Sequence, residues 1–305
     1  VGLPLSAIAP NALSLALGRC IIGIASGLIS TSAMLGLIST IPKQHQDNAP
    51  QLSSIITVIG FGLGPFIGGL IAQFSTQPLI TPYLPIIAAA ILCFFGLFFV
   101  QVPIFQRQPF SIAARLEIPA AHYRSLFFIV GLTAFSAFAA FSLFASLSPS
   151  FVKDLIPWHG PLVSGSAIAS ILLVSALVQF SAKNLAAHQS LRWGLMTLLL
   201  SFMLLGLCMT MQWSLLFFIS DILLGMGHGL SLLGAFGLIH QMTHTTNRAA
   251  VMSTYLFIGY LGTIVPIVAV GYLADHFGLN LAVLAFCIAV GLLCLGVLYW
   301  HKKTI

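Results

Sequence analysis

Apolar stretches of about 20 residues recur from one end of the chain to the other, separated by short polar breaks. As a helix rising about 1.5 Å per residue, each is long enough to cross a hydrocarbon core roughly 30 Å thick. The pattern predicts nine spans, over residues 11–40, 52–74, 83–102, 125–150, 162–180, 191–211, 214–239, 250–274 and 278–300. Period-2 alternation is almost absent and the chain holds 24 Phe, which favours an all-α polytopic bundle over a β-barrel. Short breaks make sequence neighbours antiparallel. The exception is 103–124, the most polar stretch, which separates three spans from six. The expected organisation is the remainder of an N-terminal helical bundle at 1–102, a linker at 103–124 with a short surface helix over 111–122, and a C-terminal six-helix bundle at 125–305.

Composition fixes the class. Of 305 residues, 59% are hydrophobic and only 5% charged, against roughly 25% charged in a soluble domain. The mean hydropathy is +1.08, and the lipid bilayer is the expected partner. The net charge of +6 comes from 11 Lys and Arg spread singly or in pairs. No basic stripe forms, so no nucleic-acid partner is expected. Cys20, Cys93, Cys208, Cys287 and Cys294 all fall in apolar spans without metal-ligand spacing and read as small buried hydrophobes. No metal or other cofactor is expected.

Charge also orients the chain. With nine alternating spans, Lys43, Arg107, Arg115, Arg124, Lys183, Arg192, Arg248, Lys302 and Lys303 fall on one side, and only Lys153 falls on the other. The positive-inside rule makes the first side cytoplasmic, including the linker and the C-terminus, in a plasma (inner) membrane. At the other end, 1–9 is apolar, has no basic n-region and is too short to span. It reads as the tail of a helix, with the expectation that the chain lacks its beginning.

Inside the second span lies Gly60-Phe61-Gly62-Leu63-Gly64-Pro65-Phe66-Ile67-Gly68-Gly69. Glycines and a proline are costly in an isolated helix, so this stretch reads as a bend with close helix contact. A faint repeat accompanies it. Sliding the chain by 202 residues puts Arg19, Gly23, Gly27 and Leu28 on Asp221, Gly225, Gly229 and Leu230, and puts Gly60 and Gly69 on Gly262 and Gly271. An offset of six spans implies two parallel six-helix halves.

These residues carry a resemblance. Gly18-Arg19-x3-Gly23-x3-Gly27 looks like the fourth-helix motif of the major facilitator superfamily of secondary transporters. Gly60-x3-Gly64-Pro65-x2-Gly68-Gly69 is similar to the fifth-helix motif of that superfamily's drug:proton antiporters. The resemblance runs over essentially the whole chain. It implies a major-facilitator-like bundle of twelve helices, of which nine are complete here, with the first two and most of the third missing. It departs from the family pattern in two loops. Gly271-Tyr272-Leu273-Ala274-Asp275-His276-Phe277-Gly278 looks like the family's second-to-third-helix loop but falls on the outer side. The loop 182–189 keeps Lys183 and has no Asp.

An ionisable side chain at mid-membrane costs about 2.5–3.5 kcal/mol and is a functional hypothesis by default. Arg19 and Asp221 are the formal charges inside the spans, at equivalent places in the repeat. The resemblance implies that both face a central cavity, Arg19 as an anion clamp or tuner of an acid, Asp221 as a protonation or cation site. The competing reading is a packing ion pair. His228 lies two turns after Asp221 on the same face, and its ordinary pKa near ~6.5 suits proton exchange. Ser26 and Ser30 follow Arg19 along its face as solute contacts or interhelical glue. Phe127, Phe128, Phe135, Phe138, Phe141 and Phe144 offer cavity wall, with lipid contact the favoured reading for most. Pro65, Pro149 and Pro266 mark bends.

The leading expectation is a monomeric, proton-coupled secondary transporter exporting small organic molecules by alternating access. The alternatives are a symporter or facilitator for sugars or carboxylates, and an inactive fragment. A membrane enzyme is not expected. Its only candidate pair, His240 and His244, has no Glu between and no third ligand.

Overall fold

The computed structural model describes residues 2–40, 49–99, 116–155, 160–244 and 247–304. Among them every regular element is helical: α1 (Gly2–Ala7), α2 (Ala12–Thr40), α3 (Ala49–Phe74), α4 (Tyr83–Gly96), α5 (Arg124–Leu155), α6 (Pro161–Ser181), α7 (Ala187–Met211), α8 (Ser214–Met242), α9 (Arg248–Phe277) and α10 (Leu279–Thr304). Eight of the described helices are long and apolar enough to cross a membrane, and Tyr83–Phe99, at the place of the third expected span, is a shorter apolar helix among the described residues. The chain is an all-α polytopic membrane protein.

Helix ends follow local chemistry. Asn11 caps α2, its Oδ1 accepting the Ser14 amide at 2.9 Å while the Ser14 hydroxyl donates to the Asn11 carbonyl at 2.8 Å. Gly160 precedes Pro161 at the start of α6, where the missing proline N–H costs nothing. Gln212 closes α7 in the left-handed region at φ 53. Pro65 and Pro266 stay inside α3 and α9. The side chain of Pro149 lies outside the described residues.

The linker differs from its expectation. Residues 116–120 are not helical, and only the 3-10 turn Ala121–Tyr123 precedes α5. The Thr254 hydroxyl donates to the Glu117 carbonyl at 2.7 Å, a tether to α9. The first part of the expected surface helix, 111–115, lies outside the described residues.

Two compact units are present: Val1–Ser53 with Ile67–Ala114, and Ser54–Phe66 with Arg115–Ile305. In the first, α1 lies on α2, with Gly2 against Ile22 and Gly18 against Ser6. Most large apolar side chains of α2, α3 and α4 whose exposure is described are exposed.

The second unit holds the main core. Lipid tails are as apolar as leucine, so close backbone approach and interhelical hydrogen bonds do the specifying. α8 lies against α7 through small residues. A Cβ on Gly234 would stand 2.6 Å from the Leu191 amide nitrogen, and one on Gly227 2.8 Å from Leu198 Cγ. The Ser190 hydroxyl donates to the Leu230 carbonyl and Ser201 to the Ser220 carbonyl, each at 2.8 Å. α5 meets α9 at Gly262, which lies on the backbone of Phe135, and donates from Ser142 to the Thr263 carbonyl at 3.0 Å. At the ends of α7 and α10, His188 Nδ1 and His301 Nε2 are 3.1 Å apart.

This packing corrects the reading of the phenylalanines. Phe127 and Phe144 are buried, Phe135, Phe138 and Phe141 are partly buried, and only Phe128 of the six is exposed. α5 contacts α6, α8, α9 and α10 at once, so most of its faces meet protein rather than lipid.

Candidate functional site in the α6–α8 seam

α6 is apolar except for serines and one amide, and α8 presents Asp221, Gly225, His228 and Gly229 toward it. The spacing 221, 225, 228, 229 is a single helical face. Without side chains on Gly225 and Gly229, the α8 backbone lies directly on α6. A Cβ at Gly225 would stand 2.6 Å from the Ile171 carbonyl oxygen, and one at Gly229 2.5 Å from that of Ser175.

This approach brings two ionisable groups onto two hydroxyls. Asp221, 4% exposed, accepts a hydrogen bond at Oδ2 from the Ser170 hydroxyl at 2.5 Å. Its other oxygen, Oδ1, is buried and has no partner among the described residues. Two turns along, His228 Nδ1 lies 2.9 Å from the Ser175 hydroxyl, which also accepts from Gln179 Nε2 at 3.3 Å. With Gln179 donating, the Ser175 proton is available to Nδ1, an arrangement that suits a neutral imidazole protonated at Nε2. Phe138 stacks on the His228 ring at 5.9 Å and 24°, and Phe141 lies 6.1 Å away at 48°. The imidazole is thus held by α5, α6 and α8 together.

Chemically, the seam contains a carboxylate with one bonded and one open oxygen, and a histidine with a fixed partner on one nitrogen. Such groups can take up and release protons. No cluster of three or more potential metal ligands exists among the described residues.

The candidates on α2 and α3 are placed differently. Arg19 is exposed on α2, and its Nη2 donates to the Tyr83 hydroxyl at the start of α4 over 3.2 Å. Ser26 is also exposed, and the side chain of Ser30 lies outside the described residues. In α3, Cβ atoms at Gly60, Gly64 and Gly68 would meet no described atom within 4 Å. Pro65 is partly buried and Gly69 buried. The glycine of this stretch that meets a neighbour is Gly62, whose Cβ would stand 3.1 Å from Leu172 Cβ of α6. There Val58 forms a small cluster with Leu172, Ala176 and Leu232.

Ser170, Ser175, Gln179 and Tyr83 were not singled out from sequence. Gln179 carried a usable signal as the one amide in an apolar span. Ser170 and Ser175 carried none, because α6 holds five serines and only the register with α8 separates these two.

No family model matches the chain, and no curated protein matches it. Solved structures do. The E. coli fucose:proton symporter FucP matches at TM-score 0.59 and 15% identity, over 100% of this chain and 80% of that one. A second FucP structure, described as a major facilitator superfamily transporter in the outward conformation, matches at TM-score 0.57 with the same identity and coverage. At this identity the likeness is one of fold: the chain has the fold of a major facilitator superfamily transporter.

Proposed function

We propose that this protein is a proton-coupled secondary transporter of a small polar solute, with Asp221 as the proton-carrying group. It works by alternating access as a monomer in the plasma (inner) membrane, with its C-terminus cytoplasmic. The observation that carries this reading is the Asp221 carboxyl, buried in the α6–α8 seam with Oδ1 open and no counter-charge among the described residues. An ionised carboxylate without a counter-charge is costly to bury, whereas a neutral one is much less so. A group that alternates between the two biases any equilibrium that changes its surroundings, and that differential is what drives a transport cycle.

Symport of a sugar or carboxylate is favoured over efflux, because the structural neighbours are fucose:proton symporters. Arg19, with its guanidinium held at one nitrogen by Tyr83, serves in this reading as an anion or hydroxyl clamp. The efflux reading rests on a specific observation of its own, the Gly60-x3-Gly64-Pro65-x2-Gly68-Gly69 pattern.

Direction decides between them. The full chain is reconstituted in vesicles and labelled L-fucose, other sugars and small carboxylates are followed under an inward proton gradient. Accumulation with the gradient supports symport. Gradient-driven loss of a preloaded solute supports antiport. No gradient-dependent movement in either direction contradicts the proposal.

A further inference from the structure

Ser170 has one hydroxyl proton and two acceptors within reach: Asp221 Oδ2 at 2.5 Å and the Ala167 carbonyl oxygen, one turn back on α6, at 2.8 Å. The two bonds cannot be made at full strength together, because a serine hydroxyl donates once and accepts through its lone pairs. The choice depends on the carboxyl. When Asp221 is ionised, the hydroxyl donates to Oδ2. When Asp221 carries a proton there, the carboxylic O–H donates to Ser170 Oγ, and the hydroxyl turns its own proton to the Ala167 carbonyl. Rotation about one C–O bond satisfies both states without moving a heavy atom.

The titratable groups on the described elements around this pair are few. α6 carries no titratable side chain. On α8 the titratable groups besides Asp221 are His228, bonded to Ser175, and the exposed His240. α7 has His188 and Arg192 near its start and Cys208 near its end. On α5, Arg124 stands at the first residue and Lys153 and Asp154 in the last turn. α9 offers Arg248 and Tyr255 in its first half, with Tyr255 packed on Phe236. Tyr260, Tyr272, Asp275 and His276 of α9 are exposed.

We propose that Ser170 is the positioning residue for proton exchange at Asp221, holding the ionised carboxylate and following it through protonation by turning its hydroxyl. The proposal rests on the reading of Asp221 as proton carrier. A hydrogen bond to the ionised form favours that form, so losing the donor lets the protonated form persist to higher pH. Because the serine bonds both states, the shift is the difference between a charge-assisted and a neutral hydrogen bond, about half to one pH unit.

The test is an infrared pH titration of the carboxylic C=O band in the purified full chain in lipid. The band is assigned to Asp221 by its disappearance in Asp221→Asn. The chain has only five acidic residues, so the background is small. In Ser170→Ala the midpoint moves up by about half to one unit, and in Ser170→Thr, which keeps the hydroxyl, it stays at the wild-type value. An unchanged midpoint in Ser170→Ala, or an equal shift in Ser170→Thr, overturns the role of Ser170 and leaves Asp221 as proton carrier standing. If Asp221→Asn removes no titrating band, the reading of Asp221 itself fails and this proposal with it.

Discussion

Two helices related by the 202-residue repeat carry the same small-residue spacing in opposite surroundings. On α8, Gly225 and Gly229 lie on the backbone of α6, and a Cβ at either would collide with a carbonyl oxygen. On α2, Cβ atoms at Gly23 and Gly27 would meet no described atom within 4 Å. The charges differ in the same sense: Asp221 is buried against a hydroxyl, while Arg19 is exposed, with one bond, to Tyr83, among the described residues. Glycine spacing is therefore permission for close approach rather than an instruction. What a partner helix presents decides whether the permission is used.

The comparison breaks first at the glycines. Gly225→Ala forces α6 and α8 apart against backbone and a Val174 side chain, at a cost of about 1–3 kcal/mol. Gly23→Ala has open space among the described residues, and a residue of higher helix propensity leaves stability unchanged or slightly raised. Thermal unfolding of the two variants in detergent checks this. Equal destabilisation by both would mean that α2 is as closely packed as α8.

A smaller contrast lies within α3. Gly62→Leu meets Leu172 Cβ and costs part of that same range, about 1 kcal/mol or more. Gly64→Leu has room among the described residues and costs less. The same unfolding measurement ranks them. The reverse order would return the packing role to the glycines fixed by the motif.

Much of this fold was legible before any coordinates. Nine apolar segments and their helical character follow from hydropathy and bilayer thickness, because each helix satisfies its own backbone in lipid. The candidate site was half legible. Asp221 and His228 stand out as ionisable groups in apolar spans, and their seven-residue spacing puts them on one face. Their partners did not stand out, since one serine among five on α6 differs from the others only by register. The phenylalanines of α5 were misread for a related reason. A helix apolar all round is either lipid-facing or central, and only its contacts with α6, α8, α9 and α10 distinguish the two. Over 116–120 the linker was misread: Pro119 there disfavours a helical Ile118.

The central claim is that protonation of Asp221 couples to solute movement. The most direct measurement compares wild type with Asp221→Asn in vesicles, following gradient-driven accumulation and gradient-free exchange of the same labelled solute. The amide keeps the shape and a neutral charge, so exchange persists while accumulation under a proton gradient falls to the level set by equilibration. Accumulation by Asp221→Asn at the wild-type level, with the wild-type pH dependence, would contradict the assignment.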